Sequence, residues 1–448
     1  MKVCKFGGTS LASAEQIRKA ANIVLADKER KIVVVSAPGK RFKEDIKVTD
    51  LLISYANKYI EQGAAEKELD EVLARFEEIA SGLELKREII DNITKNIKGQ
   101  LMVNIKDKNL FIETIKAAGE DNSARLLAYY LQDMGIDAKY INPKEAGLFV
   151  SKEFGNAQVL PESYNNLYSL REEAGILIFP GFFGYSPDGF IVTFSRGGSD
   201  ITGSILAAAT KAKLYENFTD VDSVFTVNPS FITNPHKITE LTFREMRELS
   251  YAGFTVFNEE ALMPAYRAGV PVNIKNTNNP EAPGTMIVFK RQYSTNPVIG
   301  IASDNGFCSI YVSKYLMNRE IGFGRKLLMI LEDEGLSYEH TPSGIDNISL
   351  ILREEQFDKE VETRVINRIK EDLEVDDIAV QHDLTLIMIV GEGMRRTIGI
   401  AAKATKALSQ ANVNIEMINQ GSSEVSMMFG IHAEDERKAI ESLYHEFF

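Results

Sequence analysis

Residues 193–206, TFSRGGSDITGSIL, turn a hydrophobic strand straight into a polar helix start, and few architectures make such a corner. Ile191, Val192 and Phe194 favour a strand, and Gly197 and Gly198 let backbone approach a ligand. Ser199 or Asp200 offers a cap for a helix running on through Leu206 and Ala209. Free N–H groups at such a helix start carry roughly half a positive charge, which suits a phosphate or carboxylate. Arg196 adds a guanidinium able to grip a carboxylate through two parallel hydrogen bonds. An ordinary capped turn is the plainer reading, but Arg-Gly-Gly-Ser-Asp on this boundary favours a ligand site.

A second corner of the same kind comes first in the chain. Residues 3–6 read as a short strand, Gly7, Gly8, Thr9 and Ser10 follow at once, and a helical pattern runs over 14–26. Residues 31–35 give another buried strand ending at Ser36-Ala37-Pro38-Gly39, and Thr49 opens a helix carrying Leu51, Leu52, Tyr55 and Tyr59. This alternation implies an α/β fold with a largely parallel sheet. Residues 64–116 are helical and charge-rich, as in an insertion. A helix is expected over 120–131, capped by Asp121 or Asn122, with Glu120 and Ser123 at its mouth. Strands follow over 138–141, 175–179 and 213–218, with a tight turn at 180–184 and a hairpin signal at 187–189. Thr219-Asp220-Val221-Asp222 then sits at a strand's carboxyl end, where open α/β sheets bind ligands. Helices over 242–251 and 259–268 and a strand over 270–275 complete this domain near Lys290.

After a polar linker at 291–297 the pattern changes. Strands over 309–312, 336–340 and 348–352 with helices over 321–334 and 357–372 are succeeded by a similar series. That series has strands over 384–390, 414–418 and 424–431 and helices over 397–411 and 434–445. The recurrence implies two ferredoxin-like βαββαβ units. The expected domains are 1–292, 298–380 and 381–448, with interleaving of the last two left open. A plain oligomerisation module is the alternative use of such units.

A chain of 448 residues with 44% hydrophobic content is too long for one core. Its net charge of -13 and pI near 5.1 argue against nucleic-acid or acidic-membrane partners, so any anionic substrate must meet a local set of donors. Cys4 and Cys308 alone exclude a disulfide framework and fit a reducing compartment, and the five histidines show no zinc-ligand spacing. No apolar run approaches the roughly 18 residues of a membrane span, and Lys2 and Lys5 interrupt any signal segment. A cytoplasmic location is expected.

Three loops should converge at the carboxyl edge of the first sheet: KFGGTS (5–10), residues 36–39 and residues 196–200. The set is not a P-loop, because Lys5 precedes the glycines and no Gly-Lys-Ser or Gly-Lys-Thr follows. A lysine above glycine N–H groups neutralises a transferring phosphoryl group. A carboxylate acceptor needs no general base, being ionised at neutral pH, so catalysis would rest on positioning and charge.

The same motifs carry a resemblance. KFGGTS, VVVSA (33–37), VTDLL (48–52), GFFG (181–184), RGGSD (196–200) and FTDVD (218–222) stand in the order found in aspartokinases, ahead of paired ACT modules. The chain resembles that family, within the amino-acid kinase superfamily, over essentially its whole length. The resemblance implies a three-layer α/β/α catalytic domain that transfers the γ-phosphate of MgATP to the β-carboxylate of L-aspartate. This would be the first step toward lysine, threonine and methionine, under feedback inhibition by an end product. Lys5 is implied to contact the transferring phosphate and Asp200 to orient Lys5. Gly7, Gly8 and Ser10 would cradle the ATP phosphates, and Thr219, Asp220 and Phe225 would frame the base and ribose. Arg196 would grip the α-carboxylate and Glu120 the α-ammonium, while Ser36, Thr49, Ser199 and the backbone at Phe182 surround the reacting end. Mg2+ would ride on ATP phosphates and water, with no protein ligand assigned. Thr49 as a helix cap and Phe225 as a core residue are the plainer readings.

Two departures stand out. The family often has Asp-Pro-Arg where this chain has Asn228-Pro229-Ser230, and a lysine where Thr255 stands. Two nucleotide-side cations are therefore missing, and Lys275 and Lys213 are the candidate substitutes. An amino-acid-sensing homologue with weakened nucleotide binding is the alternative function, whereas the tandem modules disfavour an acetylglutamate or glutamate kinase. IEMINQGSSEVSMM (415–428) is similar to the effector-binding edge of aspartokinase ACT modules, with MNREIGFG (317–324) as its counterpart. Met317, Gly322, Gly324, Glu339, Asp346, Asn419, Gln420 and Ser426 are the candidate effector contacts. Backbone near Gly322 and Gly324 would hold the effector's carboxylate, and Asp346, Glu339 or Glu416 its ammonium. Nearby carboxylates favour lysine, with threonine admitted. A homodimer through the ACT modules is expected, with a dimer of dimers as a further option. With the sequence ending at Phe448, a fused homoserine dehydrogenase is not expected.

Overall fold

A computed structural model describes residues 1–448 apart from 102–105, 255, 256, 258, 293–296, 422–424 and the side chain of Glu259. Most of the expected linker and the departure at Thr255 lie outside the described residues. The chain divides into two compact units: Met1–Val224 with Lys237–Arg247 and Thr255–Arg291, and Phe225–His236 with Glu248–Phe254 and Gln292–Phe448.

In the first unit, eight strands form one sheet. Their spatial order is Glu240–Thr242, Thr285–Val288, Val272–Asn276, Leu214–Thr219, Lys2–Phe6, Arg30–Val35, Ile176–Pro180 and Ala138–Tyr140. Neighbours are parallel except Val272–Asn276 against Thr285–Val288. Lys2–Phe6, Arg30–Val35 and Ile176–Pro180, short apolar runs read as strands, are buried on both faces as central parallel strands are, whereas Ala138–Tyr140 at the sheet's edge is largely half-buried. Alternation on Lys2–Phe6 sorts its side chains. Cys4 and Phe6 enter a core with helices Ala14–Ala26, Val48–Gln62, Glu66–Gly82, Arg87–Leu101 and Lys108–Asp133, while Lys5 takes the other face. Phe6 and Phe218 stack there with ring centroids 4.9 Å apart.

Three expectations for this unit are corrected. Lys108–Asp133 is one helix of 26 residues, capped by Asp107, so Glu120, Asp121 and Asn122 lie in its middle rather than at a start. The polar run EDNS reads as a cap signal, yet its side chains bond across helices instead: Gln100 donates to Asp121 and accepts from Asn122. Ser123, expected at a mouth, is buried. The Gly198–Ala209 helix is preceded by Gly197 in the left-handed region (φ 82°), not capped by Ser199 or Asp200.

The second unit holds a five-stranded antiparallel sheet in the order Asn347–Arg353, Gly300–Ser313, Asp377–Val390, Ser426–His432, Met417–Asn419. Gly300–Ser313 and Asp377–Val390 are 14 residues each and pair along their whole length, so both ends of each strand serve different cores. One core gathers Ile310, Val312, Leu327, Leu350 and Ile369; the other gathers Ile301, Ile387, Ile389, Leu408 and Phe429. The two ACT-like halves thus share strands. Residues 336–340, expected as a strand, form only the bridge His340↔Ile351. No helix among the described residues is long and apolar enough to cross a membrane.

Candidate active site

The carboxyl ends of four adjacent parallel strands carry the turns singled out in the sequence: Gly7-Gly8, 36–39, Gly181-Phe182 and Thr219-Asp220. Two of them touch. Gly39 N–H donates to Gly8 C=O at 2.8 Å, and a Cβ on Gly39 would fall 2.5 Å from the Gly8 carbonyl carbon, so only glycine fits.

Beside these turns lies a cleft of about 400 Å³. It is lined by Lys5, Ser36, Thr49, Glu120, Phe182, Arg196, Ser199 and Asp200, which the sequence had grouped as the phosphoryl and amino-acid sides. Lys5 and Arg196, almost two hundred positions apart, share this one cleft. Lys5 is 7% exposed, and its Nζ lies 2.6 Å from Asp200 Oδ1. Arg196 is exposed at the rim. Thr49 is no cap, since its helix Val48–Gln62 begins after Lys47, and its side chain faces the cleft.

Glu120 is 4% exposed, and its Oε2 has no partner. Burial pushes its carboxyl up to about 8, against weaker opposing effects of the Ala37 and Glu120 backbone and of Lys116 and Lys5. A cation brought beside such a carboxyl would favour its ionised form. The backbone at Phe182 is a correction: its N–H donates to Thr202 Oγ1 at 3.0 Å and its C=O accepts from Phe194 N–H at 2.8 Å. Phe182 holds a left-handed backbone (φ 76°) and lines the cleft with its N–H already engaged.

Sequence reasoning missed Lys47, Asp50 and Lys116, which also line the cleft. Lys116 meets Glu113 Oε1 at 2.6 Å, and Glu113 Oε2 accepts from the backbone N–H groups of Thr193 and Gly155 at 2.5 and 3.3 Å. One buried glutamate thereby fixes three segments of the wall. Its only sequence signal is spacing: Glu113, Lys116 and Glu120 fall three and four apart, on one helix face.

Of the residues expected to hold the nucleotide, Gly7, Gly8 and Ser10 come just after Lys2–Phe6, and Thr219 ends the adjacent strand with Asp220 following it. Gly7 N–H donates to Phe218 C=O at 3.0 Å, Ser10 Oγ lies 2.7 Å from Thr277 Oγ1, and Thr219 Oγ1 donates to Asp220 at 3.2 Å. Phe225 falls in the other unit, apart from these residues in the division of the chain. Neither substitute cation fits. Lys213 precedes its strand and pairs with Glu29, at the sheet's opposite edge. Lys275 is registered with Phe218 and so takes the Phe6 face, opposite Lys5.

The expected effector residues fall in two places of the second unit. Met317 is largely core, Gly322 precedes the helix Phe323–Asp333 with φ 83°, Gly324 has open space at its Cα, and Asp346 Oδ1 accepts from Leu316 N–H at 2.9 Å. Around the end of helix Phe243–Tyr251, Ser426 Oγ donates to Glu248 at 2.7 Å, the Tyr251 hydroxyl donates to Glu339, and Asn419 Nδ2 lies 3.3 Å from His340 Nδ1. Gln420 is exposed. The cavity on the unit's sheet, about 230 Å³, is lined by Ser309, Asn347, Gln381 and Glu416 among others and by none of the eight.

A model of the amino acid kinase family matches residues 1–276, and one of the ACT domain matches 387–447. Fold and site together define the class: a kinase of small molecules with an appended ACT region. Aspartokinase 3 of Bacillus subtilis is 60% identical over 448 residues, covering 100% of this chain and 99% of that protein. A crystal structure of Clostridium acetobutylicum aspartate kinase superimposes with TM-score 0.88 at 37% identity, each chain covered 100%. Aspartokinase III of E. coli, solved in complex with aspartate and ADP, has the same fold at TM-score 0.79 and 23% identity, again over 100% of both chains. The chain belongs to the aspartokinases.

Proposed function

We propose that this kinase transfers the γ-phosphate of ATP to the β-carboxylate of L-aspartate, giving 4-phospho-L-aspartate. The observation that carries the reading is the shared cleft, which brings together Lys5, Arg196 and a buried Glu120 carboxyl with one unpartnered oxygen. Arg196 and Glu120 complement the carboxylate and ammonium of an amino acid, and Lys5 complements a phosphoryl group. Arg196 takes the α-carboxylate, Glu120 ionises to take the ammonium, and Ser36, Thr49 and Ser199 surround the β-carboxylate. The Gly7-Gly8 turn, too tight for a Cβ at Gly39 beside it, leaves backbone close enough to cradle phosphates, with Ser10, Thr219 and Asp220 completing the nucleotide side. ATP brings the phosphoryl group, and Mg2+ would be held by its phosphates and water, where it would neutralise charge. One β-carboxylate oxygen forms the new bond to phosphorus as the bond to ADP breaks, and Lys5, held by Asp200, neutralises charge on the phosphoryl oxygens.

The domain limits we propose are 1–292 for catalysis, with 298–380 and 381–448 as interleaved ACT modules. Regulation by lysine at Met317, Gly322, Gly324, Glu339, Asp346, Asn419, Gln420 and Ser426, and a place ahead of lysine, threonine and methionine synthesis, complete the reading. Two buried, unpaired cysteines support a cytoplasmic location. Ile321 and Ile398, almost fully exposed just before the corresponding helices of the two halves, support a homodimer through the ACT modules. The test is a coupled ADP-release assay with and without L-aspartate. Aspartate-dependent turnover is expected, and ADP release indifferent to aspartate would refute the acceptor.

A further inference from the structure

The Lys5–Asp200 pair owes its geometry to the neighbouring strand. Leu214–Thr219 presents Tyr215 and Asn217, two residues apart and therefore on one face, to the start of helix Gly198–Ala209. Asn217 Nδ2 donates to Asp200 Oδ1 at 2.7 Å, the same oxygen that Lys5 Nζ meets at 2.6 Å. Tyr215 donates its hydroxyl proton to the Asp200 backbone carbonyl at 3.2 Å. The helix fits over that ring because residue 203 is glycine: a Cβ there would lie 2.4 Å from the Tyr215 hydroxyl. Asn217 is 3% exposed and is the direct cross-strand partner of Lys5. An amide buried this deeply is costly unless its donors are used, and here one is used on a carboxylate, in a charge-assisted bond.

We infer that Asn217 is a positioning residue for phosphoryl transfer. By donating to Asp200 Oδ1 it fixes the carboxylate that in turn sets Lys5 Nζ, while Tyr215 fixes the backbone of the same aspartate. Because the amide is neutral, Asp200 keeps its whole negative charge for Lys5. The inference rests on the reading of Lys5 as the phosphoryl-side cation.

The test uses the full chain and four variants: Asn217→Leu, Asn217→Asp, Tyr215→Phe and Lys5→Ala. Each is assayed for kcat, for both KM values, for pH dependence and for thermal melting. Asn217→Leu should lower kcat on the order of 10- to 100-fold, the cost of a misplaced catalytic group, with both KM values within about threefold of wild type. Tyr215→Phe should lower kcat less. Asn217→Asp, which keeps the shape, places a second carboxylate against Asp200. The two must then share a proton, so the kcat–pH profile should gain an ionisation that wild type lacks. That variant carries the test if the leucine variant does not fold. A purely structural role would lower the melting temperature while leaving kcat per folded molecule and the pH profile unchanged, and that result overturns the inference. If Lys5→Ala is inactive while both Asn217 variants behave as wild type, the inference alone fails. If Lys5→Ala turns over normally, the reading beneath it fails as well.

Discussion

Glu120 shows how much one buried atom can dictate. Its carboxyl rises from the usual 4.5 to about 8 because burial disfavours the charged form. Folding therefore favours the neutral acid. The stability this gives is complete below the unfolded value of about 4.5 and is lost as pH rises through about 8, since the folded state holds the extra proton in between. Glu120→Gln should remove that slope, so melting temperatures of the two proteins should diverge in favour of the variant as pH rises; parallel curves would contradict it. Aspartate affinity should also increase between neutral pH and pH about 8.5, as the carboxyl ionises to meet the ammonium, and calorimetric titration should show the glutamine variant binding weakly and without that slope. The residue was legible as one of the groups lining the cleft. Its burial was not, because the adjacent Asp121, Asn122 and Ser123 imitate a helix cap and conceal a helix that runs unbroken from Lys108 to Asp133.

At the scale of elements, the loop that carries Gly39 and Lys47 is anchored by ions. Asp45 accepts from Arg41 through Nε and Nη2 at 2.8 and 2.9 Å and from Arg75 at 2.6 Å, and Arg75 also donates to Gly39 C=O at 2.8 Å. These guanidinium groups, Arg41 first, hold the Asp45 carboxyl far below its usual range. Asp45→Ala leaves Arg75 buried without its anion. The expected loss is about 2 kcal/mol, less than for a fully buried pair because Arg41 is 29% exposed. Since the folded value is depressed, this stabilisation is present above pH about 4 and disappears as pH falls below it. Chemical denaturation at neutral and acidic pH checks both points, and an equal effect of the variant at both would contradict them. Strand-to-helix corners were read correctly because period, glycine and polarity agree there. The 14-residue strands were not, because Asp304-Asn305-Gly306 looks like a break, yet the strand runs on through two register shifts, one at Gly306 and one where Asp383 has a left-handed backbone (φ 55°).

For the whole molecule, the sequence implied a largely parallel sheet followed by paired ferredoxin-like units, and the described residues hold an eight-stranded, mostly parallel sheet in the first unit and a five-stranded antiparallel sheet in the second. What the sequence concealed is that Phe225–His236 and Glu248–Phe254 belong to the second unit, since membership there is set by packing between distant segments rather than by any local pattern. Ser426 and Asn419, bonded to Glu248 and His340, stand among the residues assigned to the effector. Ser426→Ala and Asn419→Ala should raise the lysine concentration for half-inhibition about tenfold, equivalent to about 1.4 kcal/mol of coupling, with uninhibited turnover near normal. Unchanged inhibition curves would place the effector elsewhere. The central claim is that Lys5 and Arg196 serve two different substrates in one cleft, and initial rates of Lys5→Ala and Arg196→Ala across a grid of ATP and aspartate concentrations test it most directly. Lys5→Ala should lose kcat by orders of magnitude, and Arg196→Ala should raise the aspartate KM while sparing that of ATP. Near-wild-type kinetics in either variant, or a defect of Arg196→Ala confined to ATP, would contradict the account.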